Sequence, residues 1–170
     1  MTPGIATIEV ICPCAAWRRA CPEAKELART GAALALARGM AAVGIASEKA
    51  IELSITLSDD DGARRLNRRW RGVDRSTNVL AFPAWVPGAS LPAEIPLLLG
   101  DVVLAFETVA REAEEQGKQF ADHFFHLVVH GVLHLLGYDH HTEGDAVAME
   151  ALETSILENF GVADPYQLTM

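Results

Sequence analysis

The sequence predicts a single-domain α+β protein in which a small mixed sheet of four strands packs against about five helices. The chain has 170 residues, which is the size of one ordinary domain. Half of its residues are hydrophobic, a share typical of a globular chain rather than a disordered one. Apolar residues recur with strand and helix periods in the order β-α-β-α-β-β-α-α-α. We therefore expect one domain over residues 1–170.

The first part of the chain contains two predicted strands and a long helix between them. Residues 5–11 form an apolar strand. Pro22 and Glu23 are typical of a helix N-terminus, and the Ala- and Leu-rich pattern after them indicates a helix to about Gly44. Hydrophobic residues then alternate with polar ones over residues 51–57, as in a half-buried strand.

A short helix is predicted after the polar run at residues 58–61, because Ser and Asp side chains cap helix N-termini. Three apolar side chains at helical spacing are expected to face the core: Ala63, Leu66 and Trp70. The other faces of this helix and the loop after it are rich in arginine. Six of the 14 basic residues fall within twelve positions: Arg64, Arg65, Arg68, Arg69, Arg71 and Arg75.

The second part of the chain is predicted to contain two strands and three helices. The strands cover residues 78–82 and 97–105, and a proline-rich surface loop over residues 83–96 joins them. Two helices are expected at about 106–116 and 120–136. A last helix begins near a T-x-x-D capping pattern at Thr142. Its buried stripe is predicted to comprise Met149, Leu152, Ile156 and Phe160.

All six histidines lie between residues 123 and 141, and three of them have the spacing of a metal site, H-x3-H-x2-G-x2-H. His130 and His134 are four residues apart, so a helix projects both from one face. Gly137 can end that helix and return the chain, which brings His140 to the same ion. Three neutral nitrogens with an open fourth position are typical of a catalytic zinc. We therefore predict one zinc ion per chain on these three histidines.

The other histidines are alternative ligands or supporting residues. His126 precedes His130 by one helical turn, and His141 directly follows His140. Either could replace a predicted ligand. His123 and His141 are otherwise expected at the surface or beside the ligands.

The histidine spacing matches that of metzincin proteases, H-E-x-x-H-x-x-G-x-x-H, at all but one position. The proteases have a glutamate after the first histidine, where it acts as the general base. This chain has Gly131 there, which cannot accept a proton. The nearest carboxylates are Asp139 and Glu143, beyond the predicted end of the helix. The pattern predicts a zincin-like fold, but it disfavours a peptidase of the usual mechanism.

Composition limits the compartment and the partners. No stretch is apolar enough to predict a membrane span, and the N-terminus lacks the basic start of a secretory signal, so we predict a cytoplasmic protein. Cys12, Cys14 and Cys21 are interpreted as ordinary thiols, because three cysteines cannot all pair within one chain. The net charge of −9 argues against nucleic-acid binding, yet the arginine-rich segment gives a local surface for phosphates.

Several motifs together resemble the YbeY family of bacterial metal-dependent endoribonucleases, which act in ribosomal RNA maturation. Residues 130–140 are similar to the family signature, and residues 66–83 resemble a second block of it. Three shorter segments are also similar: Leu99-Gly-Asp101, Met149-Glu-Ala-Leu-Glu153 and Asp164-Pro-Tyr166. The resemblance covers most of residues 51–166.

The resemblance implies a zinc ion on the three histidines and a catalytic arginine at the cleft, which is Arg71 in this chain. It also implies a function, the cleavage of single-stranded RNA in 3′-end maturation of 16S ribosomal RNA and in ribosome quality control. The implied partners are ribosomal RNA, the small ribosomal subunit and its assembly factors. The chain departs from the common family pattern at three positions, none of which is a ligand: Trp70, Ser76 and Ala81.

The chemistry of these residues supports the implied function without the resemblance. Zinc lowers the pKa of a bound water to about 7. The guanidinium of Arg71 suits a phosphate and can stabilise charge in the transition state. The nucleophile is left open between water and the RNA 2′-hydroxyl. Five arginines are weaker candidates for binding the RNA backbone: Arg64, Arg65, Arg68, Arg69 and Arg75.

Two alternative functions remain from the sequence. One is a ribosome-assembly factor whose zinc only holds the fold. The other is a metzincin-like hydrolase or peptidase that lacks the usual glutamate. The number of protein ligands on the metal distinguishes a catalytic zinc from a structural one, because structural zinc sites usually have four protein ligands.

Overall fold

A computed structural model describes residues 4–89, 91–92 and 94–166, and they form the predicted α+β fold. The four strands are β1 Ala6–Ile11, β2 Ile51–Ser58, β3 Val79–Pro83 and β4 Leu97–Ala105. The helices are α1 Ala16–Ala20, α2 Ala24–Gly39, α3 Asp60–Arg71, α4 Phe106–Glu115, α5 Phe120–Leu135 and α6 Glu143–Asn159. A short 3-10 turn at Ala41–Val43 follows α2.

The four strands form one mixed sheet in the order β1-β2-β4-β3. β2 lies parallel to both β1 and β4, whereas β3 runs antiparallel to β4. The predicted mixed four-stranded sheet is therefore confirmed. Its antiparallel edge strand, β3, lies beside α5, the helix that carries the histidines.

The two faces of the sheet are covered unequally. Val102 and Leu104 of β4 belong to the main core, which also contains the buried faces of α2 and α5. Val103 and Ala105 alternate with them and face a smaller cluster beneath α3. This alternation follows from the period of two along a strand. The sheet thus separates α3, with its arginines, from the helices of the main core.

The described residues form six α-helices, where the sequence predicted about five. The additional helix is α1, only five residues long and therefore too short to show a helical period. Trp17 anchors it, because its buried indole donates a 2.8 Å hydrogen bond to the carbonyl oxygen of Ser58. The Trp17 ring also packs against Phe106 and Phe124. The predicted long helix ends at Gly39, and the 3-10 turn fills the remaining distance to Gly44.

Two aromatic side chains predicted to be buried lie at the surface. Trp70 is 64% exposed. The apolar cluster beneath α3 includes Ala63 and Leu66 but ends there, one turn before Trp70. Phe160 is 43% exposed, because it follows the last residue of α6. One side of its ring stacks on Phe125, with ring centroids 4.3 Å apart. The prediction was therefore wrong for the last position of both stripes.

The proline-rich segment between β3 and β4 is anchored rather than purely superficial. Trp85 is buried against the main core. Positions 90 and 93 of this segment lie outside the described residues.

The three cysteines are free thiols. Cys21 is buried where α1 ends, and Cys12 and Cys14 are half-buried against the main core. This agrees with their interpretation as ordinary thiols. No helix in the described ranges has the length and apolar character that crossing a membrane requires.

The packing of α5 on the sheet leaves no room for a side chain at position 131. A Cβ atom on Gly131 would lie 2.7 Å from Cγ1 of Val102 and 3.2 Å from Cγ2 of Val79. Real Cβ atoms are essentially never found as close as the first of these distances. The position that holds the general base in metzincins is therefore occupied here by backbone packed on β3 and β4.

We predict that Gly131→Ala destabilises the protein by about 1–3 kcal/mol, the usual cost of overpacking a core. Helix propensity alone predicts the opposite sign, a gain of about 1 kcal/mol. The matched control is Gly144→Ala in α6, where a Cβ meets nothing within 4 Å. Urea unfolding should place the Gly131→Ala midpoint below that of the parent, and the control at or above it. A Gly131→Ala protein as stable as the parent would show that this packing is not a constraint.

Candidate metal centre

The end of α5 brings the third histidine back towards the first two. Gly137 follows α5 with φ +100°, a conformation that side chains rarely adopt. Its amide donates to the carbonyl oxygen of His134 at 3.0 Å, and the Tyr138 amide donates to that of Leu133 at 3.1 Å. These two bonds close the helix end as a left-handed C-terminal motif. The chain then reverses, and His140 faces the last turn of α5.

His130, His134 and His140 lie together as the spacing predicts. Each offers a ring nitrogen, and these three nitrogens all lie within 4.8 Å of one another. The Nε2 atoms of His130 and His134 are 3.1 Å apart. Two nitrogens bound to one tetrahedral zinc at 2.0–2.1 Å are about 3.3 Å apart. Three imidazoles at this spacing fit a zinc ion with only small movements.

The protonation of His134 suits a metal ligand. Burial, together with the nearby imidazoles of His130 and His140, lowers the pKa of His134 to about 4. The ring is therefore neutral at neutral pH, with a lone pair free for a metal. His140 is the most open of the three, because 58% of its side chain is exposed.

A buried glutamate that the sequence did not single out holds the first of these histidines. Glu153 of α6 is fully buried, and its carboxylate accepts hydrogen bonds from Nδ1 of His130 and from the hydroxyl of Tyr166. Nε2 of His126 lies 3.3 Å from its second oxygen. Burial by itself raises the pKa of a carboxyl group, but the bonds from His126, His130 and Tyr166 outweigh it and lower the pKa of Glu153 to about 2.

These bonds fix how the ring of His130 is oriented. An ionised carboxylate only accepts hydrogen bonds, so Nδ1 of His130 donates to Glu153 and Nε2 of the same ring faces Nε2 of His134. A carboxylate in this position orients a metal-binding histidine and raises its basicity. Nε2 of His126 faces Glu153, and His126 is not part of the group formed by His130, His134 and His140. His126, His130 and Glu153 also lie close enough to hold a cation, but hydrogen bonds already join them.

The two remaining histidines have partners of their own. His123 is buried in α5, and its Nε2 lies 3.0 Å from Oε1 of Glu112. Burial lowers the pKa of His123 more than Glu112 raises it. His141 is exposed, and its Nε2 lies 2.7 Å from Oδ2 of Asp139. Neither belongs to the group formed by His130, His134 and His140.

Arg71 is the arginine that shares a cavity with the three histidines. The cavity has a volume of about 490 Å³, and its wall includes Arg71, Asp139 and all three imidazoles. Arg71 is the last residue of α3, and among the described residues it forms no ion pair. Its guanidinium is therefore available to an anion in the cavity.

The other five arginines lie outside this cavity. Arg64 is paired with Asp74 through hydrogen bonds of 2.8 and 3.1 Å, so much of its charge is neutralised locally. Arg65, Arg68 and Arg69 are exposed along α3, and Arg75 is exposed in the loop that follows. The sequence therefore identified the basic segment, and the structure separates Arg71 from the rest of it.

The fold and the site together define an α+β protein with a three-histidine candidate metal centre beside Arg71, which forms no ion pair with any residue that the structure describes. A family model described as Endoribonuclease YbeY matches residues 22–161. An Endoribonuclease YbeY of Paramagnetospirillum magneticum is 54% identical over 166 residues, which cover 94% of each chain. Another, of Bradyrhizobium sp., is 46% identical over 163 residues, covering 95% of this chain and 93% of that one. The chain belongs to the YbeY family.

A solved structure supports the fold. The solution structure of TM1509 from Thermotoga maritima is similar with a TM-score of 0.53, over 95% of this chain and 100% of that chain. At 19% sequence identity, this similarity concerns the fold alone.

We predict that Glu153→Gln lowers zinc affinity by about 10–100-fold, the usual effect of losing such a supporting carboxylate. An amide offers only one acceptor oxygen, and its NH2 group cannot accept the Nδ1 proton of His130. The measurement is competition with a chromophoric chelator. The matched control is Glu150→Gln, which changes an exposed glutamate of the same helix. Equal zinc affinity for the two variants would show that Glu153 does not orient the ligand.

Proposed function

We propose that this protein is a zinc-dependent endoribonuclease that cleaves single-stranded RNA. One observation carries the proposal: three imidazoles line the same cavity as a guanidinium that forms no ion pair among the described residues. The names of its relatives support the choice of RNA as substrate, since proteins 46–54% identical over nearly the whole chain are called endoribonucleases. The reaction is the hydrolytic or transesterifying cleavage of a phosphodiester.

The histidines are the residues that would hold the metal. Zinc supplies a Lewis acid that polarises a phosphoryl oxygen and makes water acidic enough to react near neutral pH. His130, His134 and His140 provide three ligands, which leaves a position for substrate or water. Glu153 accepts a hydrogen bond from Nδ1 of His130, which leaves Nε2 of that ring facing His134 as the atom that would bind the metal.

Arg71 would bind the phosphate and stabilise its charge. A guanidinium is planar and always charged, so it can donate two parallel hydrogen bonds to phosphoryl oxygens. Its contribution grows as negative charge accumulates on those oxygens in the transition state. Because Arg71 has no ion pair among the described residues, no internal bond must break first.

The rest of the cavity favours an anionic substrate near apolar walls. Asp139 is the one carboxylate among the lining residues, and the His140 amide donates to it at 2.7 Å. Apolar wall residues come from β3 and the segment after it: Val79, Ala81, Pro83, Trp85 and Pro87. Such walls limit water in the site and strengthen the electrostatic contact between Arg71 and phosphate.

We further propose that the substrate is ribosomal RNA and that the protein acts in the cytoplasm on 3′-end maturation of 16S RNA and in ribosome quality control. Its partners would be the small ribosomal subunit and its assembly factors. This part rests on the motifs shared with the YbeY family, above all residues 66–83 and 130–140. The arginines of α3 would then contact the RNA backbone outside the cavity.

We predict that Arg71→Ala reduces the cleavage rate of bound RNA by about 10²-fold or more, as expected for loss of one transition-state charge partner. Single-turnover cleavage at saturating zinc-loaded protein removes binding from the measured rate. Zinc content and thermal stability should equal those of the parent, because the Arg71 side chain is exposed.

Two further variants make this test specific. Arg65→Ala should weaken RNA binding and reduce its salt dependence by about one phosphate contact. Arg111→Ala changes an exposed arginine on α4, which is paired at 3.9 Å with Glu115, and should behave like the parent. Parent-like single-turnover cleavage by Arg71→Ala would make Arg71 only another phosphate contact.

A further inference from the structure

Trp70 occupies a position that core packing does not explain. It lies in the last turn of α3, and 64% of it is exposed. The other two tryptophans, Trp17 and Trp85, are buried in the main core. An exposed indole offers an aromatic face on which a planar partner can stack.

The surroundings of Trp70 are basic. Arg68, Arg69 and Arg71 are exposed beside it, and none of them forms an ion pair within the described part of the chain. The guanidinium carbon of Arg69 lies 5.1 Å from the centroid of the Trp70 ring. Arg69 therefore covers part of one face of the indole, and the exposure of the residue leaves other aromatic surface open.

The position of Trp70 also connects it to the candidate metal centre. Arg71 lines the cavity of the three histidines, whereas Trp70, the residue before it, does not. Successive residues of a helix point about 100° apart, so the indole of Trp70 is the neighbour of Arg71 along α3 but lies outside the cavity lining. An RNA strand whose phosphate contacts Arg71 would pass next to the indole.

We infer that Trp70 is a stacking site for an unpaired nucleobase of the RNA next to the cleaved phosphate. The inference rests on the proposed function and adds a specificity to it. A strand that offers both phosphates and free aromatic faces matches a tryptophan among arginines. A duplex hides those faces inside its base stack. Trp70 thus favours single-stranded RNA over paired RNA.

Fluorescence and binding test this inference on the zinc-loaded protein. The probe is a short 2′-O-methyl phosphorothioate oligoadenylate that resists cleavage, compared with an abasic oligomer of equal length and backbone. Stacking should quench the emission of Trp70, which is the exposed tryptophan of the three. The abasic oligomer should bind without that quenching.

Variants separate stacking from charge. Trp70→Leu should weaken oligoadenylate binding by about 5–150-fold, which corresponds to the roughly 1–3 kcal/mol of stacking one base on an aromatic side chain. Binding of the abasic oligomer should stay as in the parent. Trp70→Phe should recover most of the lost affinity. Ile95→Ser, which removes an exposed apolar side chain before β4, is the matched control and should change neither affinity.

The outcomes distinguish this inference from the proposed function. Two results together would overturn the stacking site: oligoadenylate binds the parent without quenching tryptophan emission, and it binds Trp70→Leu with the same affinity. The proposed nuclease function would not be affected by these results. A parent protein that binds neither oligomer would overturn both.

Discussion

The buried carboxylate of Glu153 is the interaction on which the candidate site depends. An ionised carboxylate without partners costs several kcal/mol when it leaves water, so its hydrogen bonds must be complete. Two parts of the chain supply them here: α5 through His126 and His130, and the segment after α6 through Tyr166. The same bonds that make the charge tolerable also fix the orientation of a metal ligand.

A second constraint acts on the opposite side of α5. Gly131 follows His130 directly, and its backbone packs on β3 and β4, so the helix approaches the sheet to within contact of Val79 and Val102. This approach brings His130 and His134 beside β3, whose residues Val79 and Ala81 line the same cavity. Gly131, which stands where metzincins have their catalytic glutamate, is thus required for the close packing of α5 on the sheet. In our account Arg71 stabilises charge on the phosphate, and the proton of the nucleophile is accepted by a group other than residue 131.

Local sequence patterns predicted most of the secondary structure and the grouping of the three histidines. The spacing H-x3-H-x2-G-x2-H works because a helix fixes the first two side chains, and Gly137 alone determines the reversal. The role of Glu153 was not predictable in this way. It lies 23 residues after His130 and on another helix. The other buried residues of that helix are apolar. Only the packing of α6 on α5 brings the two together.

The errors of the sequence prediction come from features that helical periodicity does not describe. Periodicity places Trp70 on the buried face of α3, but the apolar surface under α3 ends one turn earlier. Phe160 follows the last residue of α6 and is only partly covered, by its stacking on Phe125. Periodicity describes the direction of a side chain, whereas burial also requires a partner in front of it. The helix α1 was missed because five residues are too few to define a period.

The most direct test of the central claim is a crystal structure of the zinc-loaded protein with anomalous diffraction measured at the zinc edge. The account predicts one anomalous peak per chain, bound by His130, His134 and His140 at about 2.0–2.1 Å, with no fourth side chain as ligand. A fourth protein ligand would make the metal structural. A peak among His126, His130 and Glu153 instead would contradict the assignment of the site.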